Sequence, residues 1–287
     1  MEIVILTLYG LALLFIFSYS LIQLQLIIKY KRYKNVQSNK SQLIFDNAQA
    51  PIVTVQLPVY NEKYVVERLV EAVANLDYPK EKLEIQLLDD STDDTFQLLK
   101  KKAEELHLKG YDVKHIHREN REGFKAGALA AGLEKAKGEF VAIFDADFVP
   151  TKDFLIRTLP NFNCQSVGMV QCRWEHLNEN YSLLTKLQAF GLDAHFTIEQ
   201  SGRNVANYFI NFNGTAGVWR KQTIIDAGGW SADTLTEDLD LSYRAQLKGW
   251  KFVYEENVGA PAELPANMVA LKTQQHRWNK GAAECVR

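Results

Sequence analysis

The chain has 287 residues, 47% hydrophobic and 24% charged, a composition that excludes a disordered protein and leaves room for one large domain or two small ones. Its formal net charge of -2 supplies no global basic field, and no local basic motif stands out, so nucleic acid is not an expected partner. Three scattered cysteines, Cys164, Cys172 and Cys285, fit neither a disulfide framework nor a paired zinc site.

From Ile3 to Ile28 the chain is almost wholly apolar, and about 20 such residues cross a bilayer core. Lys29, Lys31, Arg32 and Lys34 follow, a basic flank that the positive-inside rule keeps cytoplasmic. A cleaved signal peptide would put its basic residues first and carry a shorter apolar stretch. Residues 1–30 are therefore expected to be a transmembrane anchor, 31–50 a polar linker, and the domain beginning at Pro51 is expected to face the cytosol.

Short β-branched and apolar runs then alternate with segments of helical period, which predicts an α/β fold with a mostly parallel sheet. Strands are expected at Ile52 to Leu57, Glu84 to Leu88, Asp112 to His117 and Glu139 to Phe144. Between the first two, Val65, Leu69, Val73 and Leu76 recur at helical spacing. An Ala- and Gly-rich helix is expected from Gly123 to Lys137. In the second half the predicted elements are a strand at Val167 to Arg173, a long helix from about Glu179 to Gln200, a strand at Tyr208 to Phe212, a helix from about Glu237, and a basic-aromatic segment from Asn267 onward.

Acidic clusters end two of the strands, where open α/β sheets bind ligands. Asp145-Ala146-Asp147 puts two carboxylates on one turn, able to present hard oxygens to magnesium or manganese or, equally, to serve as a turn and helix cap. Asp89-Asp90-Ser91-Thr92-Asp93-Asp94 gathers four acids in six residues, of which Asp93 or Thr92 is expected to cap the next helix. Arg118, Arg121 and Lys125 lead into the helix at Gly123 and offer cations to a phosphate or to solvent. No P-loop or dinucleotide fingerprint is present. Thr236-Glu237-Asp238 opens a helix, with Thr236 placed to cap it and one acid placed to act as a general base. Gln274-Gln275-His276-Arg277-Trp278 joins a stacking aromatic to a cation and amides, suited to a sugar and a diphosphate or to a membrane interface.

Taken together and in order, these pieces resemble the cellulose-synthase-like members of glycosyltransferase family 2, with their D, D-x-D, T/E-D and Q-x-x-R-W signatures. Phe212-Asn213-Gly214-Thr215-Ala216-Gly217-Val218-Trp219-Arg220, Ala227-Gly228-Gly229-Trp230, Gly249-Trp250-Lys251-Phe252 and Glu263-Leu264-Pro265 are similar to the β-mannan and glucomannan synthase branch. The resemblance covers about Pro51 to the end. It implies a GT-A (Rossmann-like) domain over 51–266, a Q-x-x-R-W interfacial segment over 267–287, and an inverting transfer of a hexose from GDP-mannose or UDP-glucose to a β-linked polysaccharide.

By the same resemblance Asp238 is the catalytic base, Asp145 and Asp147 hold Mg2+ or Mn2+, and Asp89, Asp90, Lys125, Asp145 and Arg277 bind the donor. Phe212, Gly214, Thr215, Glu237, Gln274 and Trp278 fall on the acceptor side. Relatives of this type continue past the Q-x-x-R-W segment into further membrane helices, so the sequence reads as a fragment. Two other functions fit the same motifs: transfer of a single sugar to a lipid, as in ceramide glucosyltransferases, and a non-catalytic subunit that binds nucleotide sugar.

Overall fold

The computed structural model describes residues 2–37 and 49–286. Its first element, α1 (Glu2–Gln37), contains a stretch, Glu2–Arg32, long and apolar enough to cross a membrane and unburied in its apolar window. The helix runs past residue 30 into the basic flank. The rest of the expected linker, 38–48, lies outside the described residues. The lower turns of α1 pack on the domain: Leu26 is 2% exposed, the Tyr30 hydroxyl donates to Glu256 Oε1 at 2.8 Å, and Lys29 Nζ donates to the Tyr208 hydroxyl at 3.1 Å.

Beyond Ala50, β1 (Val53–Val59) and β2 (Leu83–Asp89) are buried at every position. Strands buried along their whole length, here with Thr54, Gln56, Glu84 and Gln86 among the apolar residues, belong to a parallel sheet covered on both faces. β3 (Asp112–His117) and β4 (Phe140–Ile143) complete a parallel set, with helices α2 (Val66–Ala74), α3 (Thr95–Leu108) and α4 (Phe124–Lys135) as the crossovers. After α5 (Phe154–Thr158) come β5 (Val167–His176), α6 (Leu183–Ala194), α7 (Ser201–Val205), β6 (Gly217–Arg220), α8 (Lys221–Asp226), α9 (Glu237–Leu247), β7 (Lys251–Ala262) and α10 (Met268–Glu284). The strand order is β3-β2-β1-β4-β6-β5-β7. β6 runs antiparallel to both β4 and β5, while β7 is parallel to β5, so the sheet is mixed and mostly parallel, as expected.

One hydrophobic core joins β1 and β2 to α2, α3 and α5; a second, on the other face, joins α4 and α9 to Phe196, Phe212, Trp219 and Trp230. The second core is aromatic, and Trp219 meets Phe212, Trp230 and Phe252 edge to face.

Three expectations about the second half change. Tyr208 to Phe212 is extended but not a strand: Ile210 N–H donates to Gln246 Oε1 at 3.1 Å, Phe212 N–H to Ser242 Oγ at 2.9 Å and Asn213 N–H to Gln171 Oε1 at 2.9 Å. Side chains take the bonds a neighbouring strand would have taken. The expected long helix begins with a 3₁₀ turn at Glu179–Tyr181, restarts at α6 behind a Ser182–Thr185 capping box, and passes through a π-helical turn at His195–Gln200 into α7. Thr236 occupies the N-cap position of α9, but its side chain does not cap the helix. The N-cap of α3 is Asp94, without a side-chain cap bond, rather than the expected Asp93 or Thr92; Asp93 contributes from one residue earlier, its carboxylate accepting the Thr95 N–H at 3.0 Å.

Candidate active site

The order β3-β2-β1-β4 reverses direction between β1 and β4, and ligands bind such sheets at the carboxyl ends beside that point. A cleft opens at the end of β4, lined by side chains from both halves of the sheet. Asp145 and Asp147 enter it from β4, Trp174 and His176 from β5, Gly214 from the loop before β6, Glu237 and Asp238 from the first turn of α9, and Gln274, Arg277 and Trp278 from α10. Segments separated by more than a hundred residues thus meet in one place.

Lys125, near the N-terminus of α4, ties this site together. Its Nζ lies 2.5 Å from Asp145 Oδ1 and 3.9 Å from Glu237 Oε1, and it donates to the Gly214 carbonyl at 2.9 Å. Burial works to lower its pKa, but Asp145, Glu237 and Asp238 outweigh it and hold the ammonium above its ordinary value. The Asp145 N–H donates to Thr215 Oγ1 at 2.9 Å, which fixes the turn after β4.

Burial, reinforced by the neighbouring Asp145 charge, pushes Asp147 up to about 7. Asp238 is likewise pushed up to about 7, first by burial and then by Glu237, with Lys125 opposing. A carboxylate poised near neutrality can take a proton and release it. The Asp238 main chain is also held, its carbonyl accepting from Ser242 Oγ at 2.6 Å. Gly214 has φ +82°, and a Cβ there would stand 3.0 Å from Asp238 Oδ2. Both the backbone conformation and the close approach call for glycine.

The two strand-end carboxylates form a hard-oxygen pair suited to magnesium or manganese. Among the described residues no group of three or more His, Cys, Asp or Glu side chains is arranged to hold a metal. Asp145 and Asp147 would be the residues to hold such an ion, with the help of a bound ligand's own oxygens. The Asp145 charge that adds to burial in raising Asp147 is a repulsion that a bound dication relieves.

Four expected site residues lie outside the cleft lining. Asp89 is fully buried; burial pushes its pKa up, but hydrogen bonds from His115 at 2.8 Å and the Ser91 N–H at 2.8 Å outweigh that and hold it below the usual carboxylate range. Asp90 is engaged by Arg118 through both oxygens, at 2.7 and 2.5 Å. These two acids clamp the ends of β2 and β3 together. Phe212 is 1% exposed, and its ring packs in the aromatic core, buttressing the loop from behind. Thr215 acts on the Asp145 main chain from a buried position.

Other residues belong to the site and were passed over in the sequence. Trp174 and His176 alternate on β5 and so share a face; the spacing was visible, but the predicted strand stopped at Arg173. Trp174 packs edge to face on Phe148 at 5.3 Å and tilted against Trp278 at 6.3 Å between ring centroids. Glu62, three residues beyond the end of β1, has its pKa raised by burial and then by Asp145, Asp93 and Glu263, so it shares the field of the acidic cluster.

Known proteins place this site in context. Residues 50–281 match the family model described as glycosyltransferase like family 2. Over 264 residues the chain is 44% identical to glucomannan 4-beta-mannosyltransferase 1 of Cyamopsis tetragonoloba, covering 90% of this chain and 50% of that protein. Over 262 residues it is 41% identical to glucomannan 4-beta-mannosyltransferase 9 of Arabidopsis thaliana, covering 90% and 49%. The chain thus spans about half the length of the curated relatives it matches. In fold it is similar to the mannosyltransferase PcManGT from Pyrobaculum calidifontis, solved in complex with GDP-Man and Mn2+, at TM-score 0.70 and 22% identity over 94% of this chain and 73% of that one. It is also similar to S. aureus TarS 1-349 in complex with UDP-GlcNAc, at TM-score 0.57 and 18% identity over 75% and 59%. With four-fifths of its length matched by the family model and its acids gathered at the carboxyl edge of a GT-A sheet, the chain belongs to glycosyltransferase family 2.

Proposed function

We propose that this chain transfers a mannosyl group from GDP-mannose to the end of a β-linked mannan or glucomannan chain, with inversion at the anomeric carbon. The observation that carries the reading is Asp238, a carboxylate lifted to about 7, in a cleft shared with the Asp145–Asp147 pair and Lys125. Both the choice of mannose and the polysaccharide acceptor are supported by the names of the relatives.

In this reading Asp238 takes the proton of an acceptor hydroxyl. The hydroxyl oxygen forms its bond to the anomeric carbon as the bond from that carbon to the diphosphate oxygen breaks, and GDP departs. Attack opposite the leaving group turns an α-linked donor into a β-glycoside. Asp145 and Asp147 would hold a magnesium or manganese ion, which when bound neutralises the charge developing on the diphosphate. Lys125 and Arg277 add fixed positive charge on that side. Trp278 and Gln274 orient the acceptor by stacking and hydrogen bonding. α1 anchors the domain in a membrane, and its basic flank sets the cleft on the cytosolic side.

The test is release of nucleoside diphosphate from a panel of nucleotide sugars, with metal and with chelator, by membranes carrying wild type or Asp238→Asn. Turnover of GDP-mannose that needs metal and is lost in Asp238→Asn is expected. Turnover of UDP-glucose alone would remove the choice of mannose, and no turnover of any donor would remove the enzymatic reading.

A further inference from the structure

The face of α10 that brings Gln274 and Trp278 to the cleft continues at helical spacing through Gly281 and Cys285. Of the seventeen residues of this helix, Gly281 is the buried one. Glycine inside a helix is unfavourable relative to alanine, so its position calls for a packing reason. A Cβ at 281 would stand 2.7 Å from Thr236 Oγ1 and 2.9 Å from the Thr236 nitrogen, and would also overlap Thr236 Cγ2. Glu284 and Cys285 fasten the same spot: the Glu284 carboxylate accepts the Leu235 N–H at 2.9 Å, and Cys285 Sγ lies 3.5 Å from Thr236 Oγ1. The Thr236 hydroxyl, freed from capping α9, is turned to α10 instead. The next two residues in the chain are Glu237 and Asp238.

We propose that Gly281, assisted by Glu284, is a positioning residue for the transfer: its bare backbone seats α10 on Thr236 and so fixes the Asp238 carboxylate relative to the Trp278 side of the cleft. The inference rests on the reading of Asp238 as the base. Close-packed contacts shift rather than compress. A methyl group at 281 therefore moves either α10 or residues 235–238, and either movement changes the separation of Trp278 from Asp238. A misplacement of about 1 Å between reacting groups costs on the order of 10²-fold in rate.

The experiment measures kcat, KM and the Kd of GDP-mannose for the full chain in detergent, comparing wild type with Gly281→Ala, Glu284→Ala, Thr236→Ala, the Gly281→Ala/Thr236→Ala pair and Asp238→Asn. Gly281→Ala is expected to lower kcat by roughly 10- to 100-fold while GDP-mannose Kd stays within about two-fold of wild type. Thr236→Ala, which clears Cγ2 and Oγ1 from the path of the new methyl, is expected to restore part of that loss in the pair. Glu284→Ala is expected to lower kcat in the same direction by less. An unchanged kcat in Gly281→Ala, an equal loss with and without Thr236→Ala, or loss of GDP-mannose binding together with turnover would each overturn the proposal. Wild-type kcat in Asp238→Asn would overturn the base reading and this one with it; an inactive Asp238→Asn beside an unaffected Gly281→Ala would overturn the seating of α10 alone.

Discussion

The two halves of the sheet are held together by different means. β1, β2, β3 and β4 form a continuous parallel ladder linked by regular crossovers, with β1 and β2 buried at every position. Around β5, β6 and β7 the direction changes twice, and the loop of residues 208–213 is held by the side chains of Gln171, Ser242 and Gln246. The first half carries the Asp145–Asp147 turn at the end of that ladder, while the second carries Asp238 on α9, which packs in the aromatic core and is tied to the 208–213 loop by single hydrogen bonds. Damage to the ladder should appear in stability, and damage to the clamps in rate.

The largest expected effect is on the second half: Asp238→Asn should lower kcat by about 10²- to 10⁴-fold in GDP-release assays. The same substitution should raise the thermal midpoint at pH 8, because it removes a buried charge that the fold disfavours. Gain of stability with loss of rate would mark a residue retained for chemistry. In the first half, Leu57→Ala, at a fully buried position of β1, should cost about 2–5 kcal/mol in chemical denaturation and leave kcat near wild type where the chain stays folded. Equal losses of rate and stability there would erase the distinction between the halves.

Ser242→Ala makes the reciprocal comparison. Ser242 accepts from the Phe212 N–H and donates to the Asp238 carbonyl, so it joins the loop to the first turn of α9. Leaving the Phe212 N–H unpaired should cost about 1–3 kcal/mol, and kcat should fall by more than that stability change predicts from the folded fraction. A kcat loss explained wholly by unfolding would show that the clamp supports the fold alone.

The smallest effect is the pH profile. Asp238 is raised to about 7, so its ionised fraction, and kcat with it, should fall about tenfold per unit below that pH. Stability should run the other way: the folded state holds a proton there that the unfolded chain releases at its ordinary carboxylate pKa, so this group's contribution declines as pH rises from about 4 to 7. A flat kcat between pH 5 and 8 would argue against Asp238 as the base.

How much of this could be read in the sequence follows the same division. In the parallel half β1, β2 and β4 are buried throughout with apolar residues predominating, and β3 matches its expected span from Asp112 to His117. In the other half the signal weakens. β6 is four residues long, and β7 interleaves Glu255, Glu256, Asn257 and Pro261 with its buried positions. Tyr208 to Phe212 has strand-like residues but pairs with side chains, which no local pattern encodes. The cleft acids were legible because carboxylates at strand ends need a chemical reason. The contacts of Asp89 and Asp90 were not, because their partners, His115 and Arg118, arrive from β3 and the turn after it. Trp174 and His176 were missed where the predicted strand ended short.

Gly202 has a consequence for the whole assembly. A Cβ at this position of α7 would stand 3.0 Å from the Leu26 carbonyl, so the backbones of α1 and α7 lie nearly in contact, and the Tyr30 hydroxyl pins the junction to Glu256. The domain is thus mounted on α1 as on a pedestal, and does not swing from a leash. Any turn of that helix about its own axis turns the cleft with it, so the direction in which the cleft opens is set by the same few residues that hold α1 to the domain.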